Sequence, residues 1–210
     1  MSEVREAGYT YNINATGTNI TISDSELPVT GRSGLGINVT GSDVSVVYVN
    51  VSSFTCGVYV KGPNVTVYGS NIQAASYTLY LYDSHNDLIY NNVFDGPVKV
   101  VNSTATWYVT PRPGTNVLGG KVIAGNAWLL PNGSGFSQVT PSSPSDPYIC
   151  DEPYEVAPGQ YDMYPLKYPQ PSNASTATQT TTYSATTTTS STTTVSKTTS
   201  TTVTTTTPQA

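Results

Sequence analysis

The feature that most constrains this chain is a phrase that returns. "NITISDSEL" from Asn19, "DVSVVYVNV" from Asp43, "NVTVYGSNI" from Asn64, "NDLIYNNVF" from Asn86 and "GKVIAGNAW" from Gly120 share one grammar. Aligned on one apolar position, they place Ile22, Val46, Val67, Ile89 and Ile123 in a column, at steps of 24, 21, 22 and 34 residues. Five places on stand Leu27, Val51, Ile72, Phe94 and Trp128; three places on stand Ser25, Val49, Ser70, Asn92 and Asn126. A second set matches Leu35, Val58, Leu79 and Val98, and beside it Ile37, Val60, Leu81 and Val100. The start joins the pattern, because "YNINATGTNITI" from Tyr11 nearly copies "LGINVTGSDVSV" from Leu35.

Self-similarity at a fixed period marks a repeat architecture, and alternation of period two within each phrase marks strands. A coil of two or three short strands fits such a repeat. Successive coils then stack in parallel at about 4.8 Å, with the apolar columns inward. The Ser/Asn column falls at an inward corner, where side chains hydrogen-bond to the coils above and below. The expected fold is all-β: a right-handed parallel β-helix of about five to six coils, its hand following the rule for parallel crossovers. A globular β-sandwich also has short strands, but it gives no reason for fixed columns.

The chain divides into a lead (1–8), the repeats (9–128, with an insertion around "TWYVTPRPGTN"), a capping segment (129–168) and a tail (169–210). Thr and Ser fill 27 of the tail's 42 residues, which leaves it too polar to offset its own ordering entropy, so it is expected to be disordered. Such tracts read as O-glycosylated stalks. The capping segment, rich in Pro, Gly and Tyr, is expected to fold over the last coil. The short charged lead offers no such cover, so the N-terminal edge is expected to be open, either because earlier coils are missing or because another chain docks there, and exposed edges invite self-association.

Charged residues make up 10% of the chain and the net charge is −5. No basic patch exists to neutralise phosphates, which argues against nucleic acid. No apolar run is long enough to span a membrane, and "MSEVREAGYT" lacks the apolar core of a signal peptide. The expectation is a mature piece or a chain read from an internal start. Cys56 and Cys150 match no metal spacing; they read as one buried and one loop thiol, with a disulfide as the alternative. Asn-x-Ser/Thr sequons occur at Asn14, Asn19, Asn38, Asn50, Asn64, Asn102, Asn132 and Asn173. Strands alternating Val with Thr generate such triplets by pattern alone, yet sequons on outward positions of a sparsely charged protein point to a secreted, glycosylated surface.

The repeats resemble those of NosD-like right-handed parallel β-helix proteins, which include carbohydrate-binding and sugar-hydrolase domains. "NVLGGKVIAGNAW" is similar to the family's glycine-rich final coil with its Gly-Asn-x-Trp phrase, here Gly125, Asn126 and Trp128. "GSGFSQ", "DPYICDEPYEV" and "YDMYPL" resemble the segment that follows it in archaeal surface proteins of this kind. The resemblance covers about residues 10–168 and implies an extracellular or cell-surface location. Relatives often carry an Asp/Gly-rich stretch suggestive of calcium. Here Asp146, Asp151 and Glu152 remain, but Pro147 and Tyr148 replace the Asp-Gly step that a calcium loop needs. The family name also implies copper, which favours His, Met or Cys ligands. The chain offers His85, Met1, Met163 and two cysteines, so copper is not carried over and no cofactor is expected.

Polysaccharide-cleaving β-helices need paired carboxylates. The nearest set is Asp83, Asp87 and Asp95 in "YDSHNDLIYNNVFDG". Asp83 and His85 belong to a turn, for which such residues are ordinary formers, and the corresponding turn one coil earlier is "KGPN". The 16 tyrosines offer a different surface. Tyr68 and Tyr90 share one outward column and Tyr59 and Tyr80 another; stacked rings with polar tips could hold sugar rings or simply support the ladder as cross-strand pairs do. The function read from the residues is a surface protein for binding, adhesion or scaffolding, with surface glycans or envelope proteins as partners. The alternatives are a polysaccharide lyase or hydrolase, and a structural envelope part that self-associates through its N-terminal edge.

Overall fold

The computed structural model describes residues 5–6, 9–27, 34–169, 182–186 and 196–200. The described chain is nearly all β and holds one short helix, Phe136–Val139. Successive strands pair in parallel into a solenoid of about four turns with three faces. The first face stacks residues 35–40, 56–61, 79–82 and 98–101; the second stacks 20–23, 44–47, 65–68, 87–90 and 105–106; the third stacks 26–27, 50–51, 71–73, 93–95 and 127–129.

The corners explain the recurrent Asn and Asp. Asn19, Asp43, Asn64 and Asn86 stand where the first face turns into the second, with φ of 55°, 57°, 61° and 61°. Asp24, Tyr48, Gly69 and Asn91 stand where the second turns into the third. Among side-chain-bearing residues, Asn and Asp enter the left-handed region most readily. Just before the first corner, Gly17, Gly41 and Gly62 form a column of their own. A Cβ on Gly41 would run into the carbonyl of Gly17, and one on Gly62 into that of Gly41.

The inward columns build a continuous core. Leu27, Val51, Ile72, Phe94 and Trp128 are stacked in register, as the repeat predicts. Ile22, Val46, Val67 and Ile89 are likewise in register. Ile123 does not join them: Val122–Ile123 pairs antiparallel with Arg112–Pro113. The second face ends instead on Ala105–Thr106, and the adjoining Trp107 is fully buried in the core. The insertion thus leaves the stack between residues 106 and 127, and the last coil is incomplete. That is why the turns number about four and not five to six.

On the first face the register departs by two residues at its first step. Ile37 pairs with Val58 and Val39 with Val60, whereas Leu35 lies beside Cys56. From there the predicted columns hold, with Val58, Leu79 and Val98 aligned and Val60, Leu81 and Val100 aligned. A slip of two keeps every side chain on its face, so the repeat pattern alone does not distinguish the two registers. The near copy at Tyr11 is in register with Leu35.

Residues 129–168 pack on the last coil. Phe94 stacks on Trp128 at 5.1 Å, Trp128 on Tyr154 at 4.8 Å and Tyr154 on Phe136 at 4.9 Å. Tyr154–Ala157 and Gln160–Asp162 form a hairpin. Both cysteines are free and buried, which removes the disulfide alternative; Cys56 lies in a solenoid strand and Cys150 outside the named strands, and Ile149 and Leu166, buried with Cys150, belong to a second small core. The tail forms a separate unit, Ser172–Ala210. There Thr182–Thr186 pairs antiparallel with Ser196–Ser200; the rest of the tail, and with it the reading as a disordered stalk, lies outside the described residues.

Candidate functional site

The surface with most aromatic character is built by the coil register. On the first face, Asn14, Asn38, Tyr59, Tyr80 and Lys99 form one column, and Thr40, Lys61, Tyr82 and Val101 the next but one. Tyr59 meets Tyr80 edge-on at 5.1 Å, and Tyr80 contacts Tyr77 at 5.8 Å and Tyr82 at 6.4 Å. The Lys99 ammonium lies over Tyr80 at 4.8 Å and Tyr77 at 5.0 Å; that of Lys61 lies over Tyr82 at 5.3 Å. Partial burial raises the Tyr59 hydroxyl above its ordinary pKa, with Tyr80 adding to the effect.

A second aromatic row follows the second face. Tyr68 and Tyr90 are in register with rings 4.8 Å apart and tilted by 32°. Tyr48, the exposed residue at a left-handed corner, meets Tyr68 edge-on at 5.1 Å. Its hydroxyl is pushed up to about 12, chiefly by its hydrogen bond with Tyr68. Sequence reasoning finds Tyr59, Tyr68, Tyr80 and Tyr90 but misses Tyr48, Tyr77 and Tyr82. The signal for Tyr82 was its strand parity with Tyr80; Tyr48 and Tyr77 carry none, since one sits on a corner and the other on nominally inward parity.

The acidic candidates are engaged separately. Asp83 accepts a hydrogen bond from Asn102 at 2.7 Å. Asp87 is buried, accepting from the Val65 amide at 2.9 Å and the Ser84 hydroxyl at 2.7 Å. Burial raises its pKa, against the pull of those bonds. It borders an open groove of about 380 Å³ with Asn86, Leu88, Thr104, Ala105 and Thr106. Asp95 lies on the third face and accepts from Gln73 at 2.8 Å through one oxygen; the other oxygen has no partner among the described residues. His85 contacts the Thr104 hydroxyl at 3.2 Å. This geometry makes Asp87 a clasp between coils, holding the amide of the coil below.

The metal candidates are dispersed in the same way. Asp146 accepts from the Tyr148 amide within its own turn, and Asp151 and Glu152 are exposed. Among the described residues no three His, Cys, Asp or Glu side chains gather as a metal-holding group. The thiols of Cys56 and Cys150 are pushed up by burial to about 12 and about 11, so both stay protonated and are poor ligands at neutral pH.

Of the sequon asparagines, Asn14, Asn19, Asn50, Asn64, Asn102 and Asn132 are exposed and Asn38 is half-buried; Asn173 lies outside the described residues. Asn38 donates to Asn14 at 2.8 Å and Asn64 to Asp43 at 3.0 Å. Asn19 and Asn64 stand at left-handed corners followed by β-branched strands, so the coil grammar itself writes part of the sequon pattern.

A search of curated proteins and one of solved structures each returned no match. A family model described as "Periplasmic copper-binding protein (NosD)" matches residues 2–133, which is more than half of the chain and spans the whole solenoid. With that match across its parallel coils, this chain belongs to the NosD family.

Proposed function

We propose that the chain is an extracellular, glycosylated β-helix protein that binds carbohydrate at a cell surface through its tyrosine columns. The observation that carries this reading is the pair of aromatic rows on neighbouring faces, each stacking tyrosines of two successive coils in register. Rings on a flat sheet offer apolar faces to sugar rings, and their hydroxyls offer hydrogen bonds. The family description supports a location outside the cytoplasm. No helix among the described residues is long and apolar enough to cross a membrane. The sequons fit the same setting, with Asn14, Asn19, Asn50, Asn64, Asn102 and Asn132 exposed to modification.

Copper, which the family description names, does not fit the donors of this chain. Among the described residues, the two protonated thiols and the imidazole beside Thr104 do not gather into a metal-holding group and Met163 is exposed, whereas copper requires converging soft or imidazole ligands. The polysaccharide-cleaving alternative has less support, because Asp83, Asp87 and Asp95 are each held by a different neighbour.

The test is binding of the full chain to a panel of immobilised polysaccharides, compared with Tyr59→Ala/Tyr80→Ala and Tyr68→Ala/Tyr90→Ala. Base–aromatic and sugar–aromatic platforms lose about 1–3 kcal/mol per ring by analogy with stacked bases, so each double variant should lose at least tenfold. Retention of wild-type binding by both variants would refute the tyrosine columns as the site.

A further inference from the structure

We infer that the first-face platform selects anionic polysaccharides, with Lys61 and Lys99 reading two acidic groups of one polymer chain; this rests on the carbohydrate-binding reading above. Between residues 34 and 106 the sequence holds two Lys or Arg residues, Lys61 and Lys99, in a chain of net charge −5. Both lie on the same face, over the same cluster of tyrosine rings. Neither ammonium forms an ion pair among the described residues. A cation over a ring is held by the quadrupole at its face, yet the outer side of the ammonium keeps its donors toward solvent. Concentrating the positive charge of an acidic solenoid on its aromatic face produces a surface complementary to an anion with an apolar body, which is the chemistry of a uronic acid.

The register sets the spacing. Lys61 lies beside Tyr82 and Lys99 beside Tyr80, so the two lysines are separated by two coils and two positions along the strand. At about 4.8 Å per coil and about 3.3 Å per residue, their backbones stand on the order of 12 Å apart. Both ammoniums lean over rings of the coil between them, Tyr82 for Lys61 and Tyr80 for Lys99, so an oligomer crossing Tyr80 diagonally can meet both at once. Asp83, whose charge acts on Tyr59, accepts a hydrogen bond from Asn102; there it disfavours a second anion and limits the anionic footprint to the lysine side.

The experiment measures binding of the full chain to polygalacturonate, to the same polymer fully methyl-esterified, and to monomeric galacturonate, at low and at raised salt. The expected result is binding to the acid polymer that weakens at least tenfold in Lys61→Gln/Lys99→Gln and falls with salt. Lys61→Arg/Lys99→Arg should keep it, Lys121→Gln on the insertion should leave it unchanged, and the monomer should bind at least tenfold more weakly than the polymer. Unchanged thermal melts confirm that the variants fold. Equal binding of the acid and esterified polymers, or equal loss in Lys121→Gln, overturns the charge selection while leaving carbohydrate binding intact. Absence of binding to both polymers overturns this inference, and failure across the wider polysaccharide panel overturns the carbohydrate reading itself.

Discussion

At the scale of single residues, the molecule is organised by side chains that stand in for the backbone of a neighbouring coil. The amide of Val49 donates to the Ser70 hydroxyl, that of Ser70 to Asn92 Oδ1, and that of Asn92 to Asn126 Oδ1, at 3.2, 3.0 and 3.1 Å. The next rung comes from the capping segment: the Asn126 amide donates to Asp162 at 2.7 Å, and the Trp128 indole donates to the same oxygen at 2.9 Å. Gln160 ends the second face in the same manner, accepting from the Ala105 amide and donating to the Ser103 carbonyl. Asp162 is fully buried, and that burial pushes its carboxyl up to about 7. A raised folded pKa means that the native state holds a proton the unfolded chain releases. Its contribution is therefore full below about pH 4 and is lost as pH rises through 7. The melting temperature should fall between pH 5 and pH 8, and Asp162→Asn should flatten that fall. Asp87 is shifted in the same direction by burial, so part of the slope should remain in the variant. A wild-type melting temperature that rises over this interval would contradict the assignment. The glycine column makes a second residue-scale prediction. Gly62→Ala places a methyl against the Gly41 carbonyl at a φ of 119°. It should cost at least about 1–3 kcal/mol in denaturant melts, from backbone strain alone.

At the scale of elements, the inward and outward parity of the strands was legible before the structure, and the reason is physical. A parallel coil must repeat its apolar positions to bury them, so the columns through Val46, Val67 and Ile89 or through Val51, Ile72 and Phe94 are written in the sequence. So was the corner ladder of Ser70, Asn92 and Asn126. The two-residue offset at Leu35 was not, because either register buries the same side chains. Ile123 was misplaced because a phrase resembling a coil was folded back against Arg112–Pro113, and the ring of Trp107 filled the position. The roles of Gln160 and Asp162 were illegible for another reason: they depend on partners 34 to 57 residues away with no periodic link. The register predicts a contrast. Leu81, fully buried between Val60 and Val100, should cost about 2–5 kcal/mol as Leu81→Ala. Thr66→Ala, a half-buried outward position beside Leu88, should cost under about 0.5 kcal/mol. Equal costs in chemical denaturation would refute the inward assignment.

At the scale of the whole solenoid, the two ends differ. The C-terminal coil is closed by rings and by hydrogen-bond surrogates: Tyr154 and Phe136 extend the aromatic stack from Trp128, while Gln160 and Asp162 take up open amides. The first coil, Tyr9–Ser23, is paired with Leu35–Val47 on one side. Among the described residues, its other pairing is the antiparallel contact of Tyr9 and Thr10 with Arg5–Glu6. Residues 11–23 are therefore paired with Leu35–Val47 alone among the described residues, which leaves their second side without a strand, and a long open edge is a template for another strand. We propose that a second copy adds at this edge. Thr18 is exposed on it, and Asn132 is exposed beyond the last coil. Single cysteines placed at these two positions report the polarity under mild oxidation, since the native thiols of Cys56 and Cys150 are buried and protonated. Thr18→Cys should form a covalent dimer whose yield rises with protein concentration, and Asn132→Cys should not. The reverse outcome, with Asn132→Cys linked and Thr18→Cys monomeric, would place association at the capped end and leave the open edge without a partner strand from a second copy.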